Sequence, residues 1–333
     1  MATMNDVAKK AGVSASTVSR VLNPTPNVTI SAETQAKVRA AAEQLNYRTN
    51  LLAQGLRLNK FNNLGFLLCE RSLDQMYYYN LLKAVENEAS KTGLSLIFAT
   101  LDDKHTPPML NDSNIDGLLV TGRVTKEKIE LIERAGVPFI VLGLPLDEQV
   151  DCNVVTPDPE NEIFTALEYL LSHGHKKVAY ISTYRDAKLQ KISERGFRGA
   201  YLNASLPVEM DLLATCVEDP NRYFQSYLLE QRVTALVVQQ QFVPQFYAFI
   251  NKHKISIPQD LSVIIIGEDL LDPQAQNFYH YVQSRTKDVG TIAVEQLHRI
   301  WDKEVSYVNI KVSPFLHEGK SVLKLTEPLQ KEA

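Results

Sequence analysis

A twenty-residue stretch near the start, Met4 to Asn23 (MNDVAKKAGVSASTVSRVLN), constrains the fold of this chain most tightly. Met4, Val7, Ala8 and Ala11 recur at helical spacing, and Val18, Val21 and Leu22 do so again after Gly12, a residue suited to the positive φ of a tight turn. Two short helices around one turn follow. Ser14 stands where a helix N-cap is wanted, and its hydroxyl can accept a backbone N–H from the second helix. With the apolar stripe turned inward, Ala15, Ser16, Ser19 and Arg20 are left outward. Small, polar and basic groups of this kind can lie against a duplex, with Arg20 forked onto a guanine edge in the major groove and Ser14, Thr17, Ser19 and Asn23 bonding phosphate oxygens. An ordinary helical hairpin would share the apolar spacing.

The segments DVA, AGVS and TVSRVLN, held in one register, resemble the headpiece of the lactose-repressor (LacI/GalR) family. The resemblance implies a DNA-binding helix-turn-helix over residues 1–47. Ala15 and Ser16 then occupy base-reading positions, and Ser31, Tyr47 and Asn50 join the DNA-contacting set. Ser31 also caps a third helix, with Glu33 near its positive end and Val38, Ala41, Ala42 and Leu45 on one face. Residues 48–60, RTNLLAQGLRLNK, match the family's hinge. Leu56 falls at its wedge position, which implies insertion into the minor groove and kinking of the duplex. Packing of Leu51, Leu52 and Leu56 as a linker helix against the body is the alternative.

Charge supports a division of labour. Residues 1–60 carry a net +5 and the rest of the 333-residue chain −9. A basic head on an acidic body suggests that the head alone meets a polyanion, with binding that weakens as salt rises. Forty-four per cent hydrophobic content over this length allows two or three domains with substantial cores. No apolar run approaches a membrane span, and no basic region precedes an apolar stretch at the N-terminus, so a cytoplasmic protein without membrane contact is expected. Cys69, Cys152 and Cys216 are widely separated, and buried small hydrophobes is the role expected of them.

From Asn63 onward, short apolar runs alternate with helical spacing. LGFLLC, LSLIFAT, DGLLVTG, VPFIVLG, VAYIST, TALVVQ and LSVIIIG are strand candidates, and YYNLLKAVENEASKTG, Glu160 to Ser172 and Phe242 to His253 are helical. This pattern predicts parallel sheets covered by helices. VLKL near the C-terminus reads as one more strand, and no leucine heptads follow it.

IDGLLV (115–120), GVPFIVLG (136–143), HGHKKVAYIS (173–182), RGFRGA (195–200), IPQDLSVIIIGEDL (257–270) and KDVGTIAVEQL (287–297) also resemble the family's body, a fold shared with type I periplasmic sugar-binding proteins. The resemblance implies two doubly wound subdomains, residues 61–157 with about 283–312, and 158–282 with about 313–333. It further implies a ligand cleft between them and a homodimer. Its partners would be double-stranded operator DNA and a small-molecule effector, a galactoside or other sugar derivative, with no cofactor.

Cleft candidates follow the strand carboxyl ends. Asp269 matches a family position whose carboxylate accepts ligand hydroxyl protons. Tyr77, Tyr78 and Tyr79 follow the first body strand, and Tyr78 and Tyr79 are taken as ligand contacts alongside Arg195, Gln240 and Gln241. Three positions depart from the sugar-binding pattern: Ser193 where the family has Arg, Gln240 and Gln241 for an Asn-Asp pair, and Val217 near the stacking aromatic. A regulator with a vestigial cleft, architectural or controlled by a protein partner, is therefore the second reading. No metal or catalytic motif emerges. His173 and His175 lack a third ligand nearby, and capping or solvent contact suits them better. The chain reads as a non-enzymatic, effector-responsive repressor of carbohydrate-use genes.

Overall fold

A computed structural model describes residues 2–22, 30–47, 60–70, 76–102, 104–111, 114–146, 150–184, 186–268 and 273–325. The chain divides into two compact units, the N-terminal 63 residues with 114–116, and the remainder.

In the first unit, three helices enclose a small apolar centre. Helix α1 (Met4–Ala11) begins with a reciprocal cap: Thr3 Oγ1 accepts the Asp6 N–H at 3.3 Å, and the Asp6 carboxylate accepts the Thr3 N–H at 2.8 Å. It ends at Gly12, whose φ of 66° is the left-handed turn expected there. Helix α2 (Ala15–Leu22) starts with the Thr17 N–H donating to Ser14 Oγ at 3.1 Å. Helix α3 (Ala32–Gln44) starts with the Thr34 N–H donating to Ser31 Oγ. Val7, Ala8, Val18, Val21, Val38, Ala41 and Ala42 are buried together, with Tyr47 and Leu45 packed at the edge. So small a core gives modest stability, which raises the value of each cap.

The second unit contains two six-stranded sheets. The first is built from β1 (Asn63–Cys69), β2 (Ser95–Thr100), β3 (Gly117–Gly122), β4 (Phe139–Leu142), β5 (Val154–Pro157) and β11 (Asn309–Val312), in the order β11-β5-β4-β3-β1-β2. The second comprises β6 (Val178–Ile181), β7 (Leu213–Ala214), β8 (Ala235–Gln239), β9 (Ser262–Gly267), β10 (His280–Gln283) and β12 (Phe315–His317), in the order β12-β10-β9-β8-β6-β7. Pairing is parallel between β1 and β3, β3 and β4, β6 and β8, β8 and β9, and β9 and β10, whereas the edge strand β12 runs antiparallel to β10. The central strands are buried almost end to end, as sheets covered on both faces require.

Helices α4 (Met76–Lys91) and α11 (Thr286–Trp301) pack together beside the first sheet, and α6 (Pro159–Ser172) and α7 (Ala187–Asn203) do so beside the second. Gly290 permits the first of these contacts, because a Cβ there would meet the Ala84 Cβ at 2.9 Å. Between the sheets the chain crosses three times, after β5, after β10 and after β11. Both sheets therefore contain strands from distant parts of the sequence.

Two expectations need correction. VLKL, residues 322–325, forms no strand. Its backbone is held by isolated bonds instead: the Leu323 N–H donates to Ser262 Oγ at 2.9 Å, the Leu323 carbonyl lies 3.0 Å from His175 Nε2, and the Leu325 N–H donates to the His173 carbonyl at 2.8 Å. Of the cysteines, Cys69 and Cys152 are buried, but Cys216 is exposed at a φ of 57°. Its place in a turn between β7 and the following helix keeps it at the surface.

Candidate functional sites

The surface of α2 is set by its phase. Val18 and Val21 face the core, leaving Ser16 and Arg20, one turn apart, exposed on the opposite side, with Ala15, Thr17 and Ser19 half-buried beside them. At the start of the helix, Ser14 Oγ lies 2.7 Å from Ser16 Oγ and 2.9 Å from Thr17 Oγ1. Three hydroxyls therefore cluster at the positive end of a helix, a setting suited to an anionic oxygen. Ser31 is exposed at the start of α3, and Tyr47 is half-buried against the headpiece core. Asn23, Asn50 and Leu56 lie outside the described residues.

In the second unit, polar side chains gather where the strands of both sheets end. Asn80 of α4 donates to the carboxylate of Glu268, which follows β9, at 3.4 Å. Glu268 also accepts from the Thr286 hydroxyl at the start of α11, and its N–H donates to Gln240 Oε1 at 2.8 Å. Gln239, only 3 % exposed, accepts the Thr183 N–H at 2.8 Å through Oε1. Tyr77 points its hydroxyl at the end of β4, where a Cβ on Gly143 would stand 3.2 Å away.

Glu162, in the first turn of α6 just past the first crossing, is 3 % exposed. Burial raises its carboxyl to about 7, a hydrogen bond from Ser284 at the second crossing opposes the rise, and the charges of Glu268 and Asp158 add to it. Burial likewise pushes the hydroxyls of Tyr77, Tyr180 and Tyr184 far up, and each of them feels Glu162. These groups thus form one polar cluster within electrostatic reach of Glu162, with Tyr180 fully buried and Tyr77 and Tyr184 half-buried.

The predicted contacts distribute unevenly around it. Gln240 belongs to it through Glu268. Gln241 is exposed. Tyr79 is 54 % exposed, whereas the hydroxyl of the buried Tyr78 lies beside Glu70, just past the end of β1, and that of Tyr77 points at the end of β4. A helix rotates about 100° per residue, which separates three consecutive side chains. Arg195 spends Nε and Nη2 on Glu160 Oε2, at 3.0 and 2.8 Å, on a partly exposed face. Ser193 is fully buried and donates to the Leu189 carbonyl, and Val217 is part of the second sheet's core. Asp269 lies outside the described residues.

Sequence reasoning missed Glu162, Gln239 and Tyr184. A glutamate in a first helical turn ordinarily faces water, so only its position directly after a crossing marks Glu162. His175 is buried between Thr234 Oγ1 and the Leu323 carbonyl, and among the described residues no group of His, Cys, Asp and Glu could hold a metal ion.

Comparison with known proteins matches both units. Residues 3–50 match the family described as bacterial regulatory proteins, lacI family, and residues 62–241 match periplasmic binding proteins and sugar binding domain of LacI family. Residues 167–322 also match a periplasmic binding protein-like domain. Catabolite control protein A of Priestia megaterium is 27% identical over 317 residues, covering 91% of this chain and 93% of that protein. The HTH-type transcriptional repressor PurR of Pasteurella multocida is 28% identical over 342 residues, covering 97% and 99%. Among solved structures, the lac repressor dimer bound to operator and the anti-inducer ONPF superposes with a TM-score of 0.78 at 20% identity, covering 97% of this chain and 99% of that one. The CelR–cellobiose complex does so with a TM-score of 0.64 at 21% identity, covering 96% and 100%.

Proposed function

This chain belongs to the LacI family of bacterial regulatory proteins, and from that membership we propose that it is an effector-responsive repressor whose α2 reads operator DNA while the two-sheet unit sets when it does so. It is a DNA-binding transcriptional regulator, and its relatives are regulators rather than enzymes. The observation that carries the reading is α2 itself: capped by Ser14, anchored by Val18 and Val21, and exposing Ser16 and Arg20 one turn apart.

In this reading Arg20 forks onto a guanine edge, and Ser14, Ser16, Thr17 and Ser19 hold the adjacent backbone. Ala15, Asn23, Ser31, Tyr47 and Asn50 complete the contact set, and Leu56, in a hinge over residues 48–60, wedges the minor groove. Two copies of the chain bind together on a near-palindromic site, as the lac repressor dimer does on its operator. The protein works in the cytoplasm, where its DNA is; no helix among the described residues is long and apolar enough to cross a membrane.

The body divides into a first subdomain, residues 61–157 with about 283–312, and a second, 158–282 with about 313–333. A small molecule held at the strand ends shifts the balance between two arrangements of these subdomains. It does so only to the extent that it prefers one of them. Glu162 and Ser284 sit at two of the crossings, so a ligand touching Glu162 acts where the subdomains turn. The buried polar groups there favour a working site over a vestigial one. A sugar or glycoside effector is the class suggested by relatives such as the cellobiose-bound CelR.

The test is binding of the purified chain to fragments of its own promoter region, with single-base changes scanned across the protected site. Arg20→Ala is expected to lose about 1–3 kcal/mol of specific affinity and to relax base choice at one position per half-site. An equal loss on every sequence would refute base reading by Arg20.

A further inference from the structure

Two side chains reach from elements of the second sheet to elements of the first, at two separate places along the strand ends. Glu268, just past β9, is buried and gives each carboxylate oxygen to a different helix beside the first sheet. Its Oε2 accepts from Asn80 Nδ2 of α4 at 3.4 Å, and its Oε1 accepts from the Thr286 hydroxyl at the start of α11. The backbone of Glu268 is fixed from the other direction, because its N–H donates to Gln240 Oε1, just past β8, at 2.8 Å. Gly267 makes this possible: a Cβ there would stand 2.6 Å from the Gln240 Cβ and push Gln240 away. The second link is Lys188, half-buried in the first turn of α7, whose Nζ donates to the Pro145 carbonyl, past β4, at 2.8 Å. Asp186 pins that turn by accepting the N–H groups of Lys188 and Leu189, at 2.9 and 3.3 Å.

Strand order gives the separation of the two links. On the second sheet, α7 follows β6 and Glu268 follows β9, with β8 between them; on the first, Pro145 follows β4 and α4 follows β1, with β3 between them. The links are thus two strand spacings apart, about 10 Å, on both sheets. One contact between two bodies lets them swivel about it, whereas two contacts at such a separation fix an orientation. The links also differ in what breaking them costs. A half-buried ammonium regains water readily, but a buried carboxylate stripped of its donors does not.

Resting on the reading of the body as the part that decides when α2 binds DNA, we propose that Glu268 and Lys188 form a two-point clasp that holds the two sheets in one mutual orientation, and that opening it changes promoter affinity. The three crossings serve as the hinge, and the clasp closes the arrangement across the strand ends. A small molecule entering there acts on DNA binding by taking over the bonds that Asn80 and Thr286 give to Glu268, or by adding to them. Equal affinity for the clasped and unclasped arrangements would shift nothing.

The test is a distance measured by electron paramagnetic resonance on the full chain, between spin labels on Cys216, exposed after β7, and on a Glu130→Cys variant, Glu130 being exposed on the helix Lys126–Glu133. Excess unlabelled chain is added so that only distances within one copy are read. With the clasp intact a single narrow distance distribution is expected. Asn80→Ala and Lys188→Met are each expected to broaden it, and the double variant to broaden it most. Affinity for the chain's own promoter region is expected to change by about threefold or more in the same variants, with the double variant furthest from the unaltered chain. His175→Ala is the control, since its contacts to Thr234 and Leu323 do not touch the clasp, and it is expected to leave both readouts where they are. Distances that move no more in the clasp variants than in His175→Ala, or distances that move while promoter affinity does not, overturn the proposal. If Asn80→Ala does not fold, Lys188→Met decides alone. If the unaltered chain ignores its promoter region, the repressor reading falls; if it binds and the clasp variants bind equally well, only the clasp does.

Discussion

Glu162 carries the clearest physical signature of any single residue in this chain. Its carboxyl is raised from 4.5 to about 7, chiefly by burial, so the folded protein holds this proton more tightly than the unfolded chain does. The stabilisation is fully present below about pH 4.5 and is lost as pH rises through 7, a swing of about 3 kcal/mol. Glu162→Gln cannot lose a proton, so its melting temperature is expected to gain on that of the unaltered chain steadily between pH 4.5 and 7 and to exceed it at pH 8. Parallel melting curves across that range would show that Glu162 does not titrate in the fold. At this scale the sequence was only partly legible. Arg20 and Ser14 follow from helical phase and capping chemistry, which are local. Glu162 and Gln239 depend on which strand ends meet, and that is decided by residues far along the chain, Ser284 and Glu268 for Glu162 and Thr183 for Gln239.

Elements were more readily read, because an apolar run bounded by glycine, proline and aspartate has few alternatives to a buried strand. The failures are informative. VLKL has the alternation of a strand, yet its backbone bonds go to the side chains of His175 and Ser262 and to the His173 carbonyl, partners far along the chain that local pattern cannot reveal. Phe315–His317 carries little apolar signal and pairs only at a sheet edge, with Phe315 exposed. His175→Ala should therefore leave Thr234 and the Leu323 carbonyl without their partner and cost about 1–3 kcal/mol. Limited proteolysis is expected to cut the C-terminal segment faster in this variant, and an unchanged cutting rate would mean that other contacts hold it. In the headpiece, Ser14→Ala removes the bond to the Thr17 N–H and should cost about 1 kcal/mol. Hydrogen exchange at the first turn of α2 is the readout; unaltered protection there would show that the cap contributes nothing.

For the whole molecule, the division of charge agrees with the division of structure. The segment at +5 supplies the three-helix unit, and the segment at −9 supplies the two sheets. Parallel layers were legible from alternation alone, whereas the three crossings between sheets came from the family resemblance, since no local pattern says which sheet a strand joins. The arrangement concentrates polyanion binding in a unit whose core is seven small buried residues, and leaves regulation to a far larger body. The central claim, that α2 recognises a particular duplex, is tested most directly by the affinity of the full chain for its own promoter region against a random duplex of equal length, followed as salt is raised. The account predicts a marked preference for the promoter, with both affinities falling linearly in log salt and the preference surviving. Equal affinity for the two duplexes at every salt concentration would contradict it.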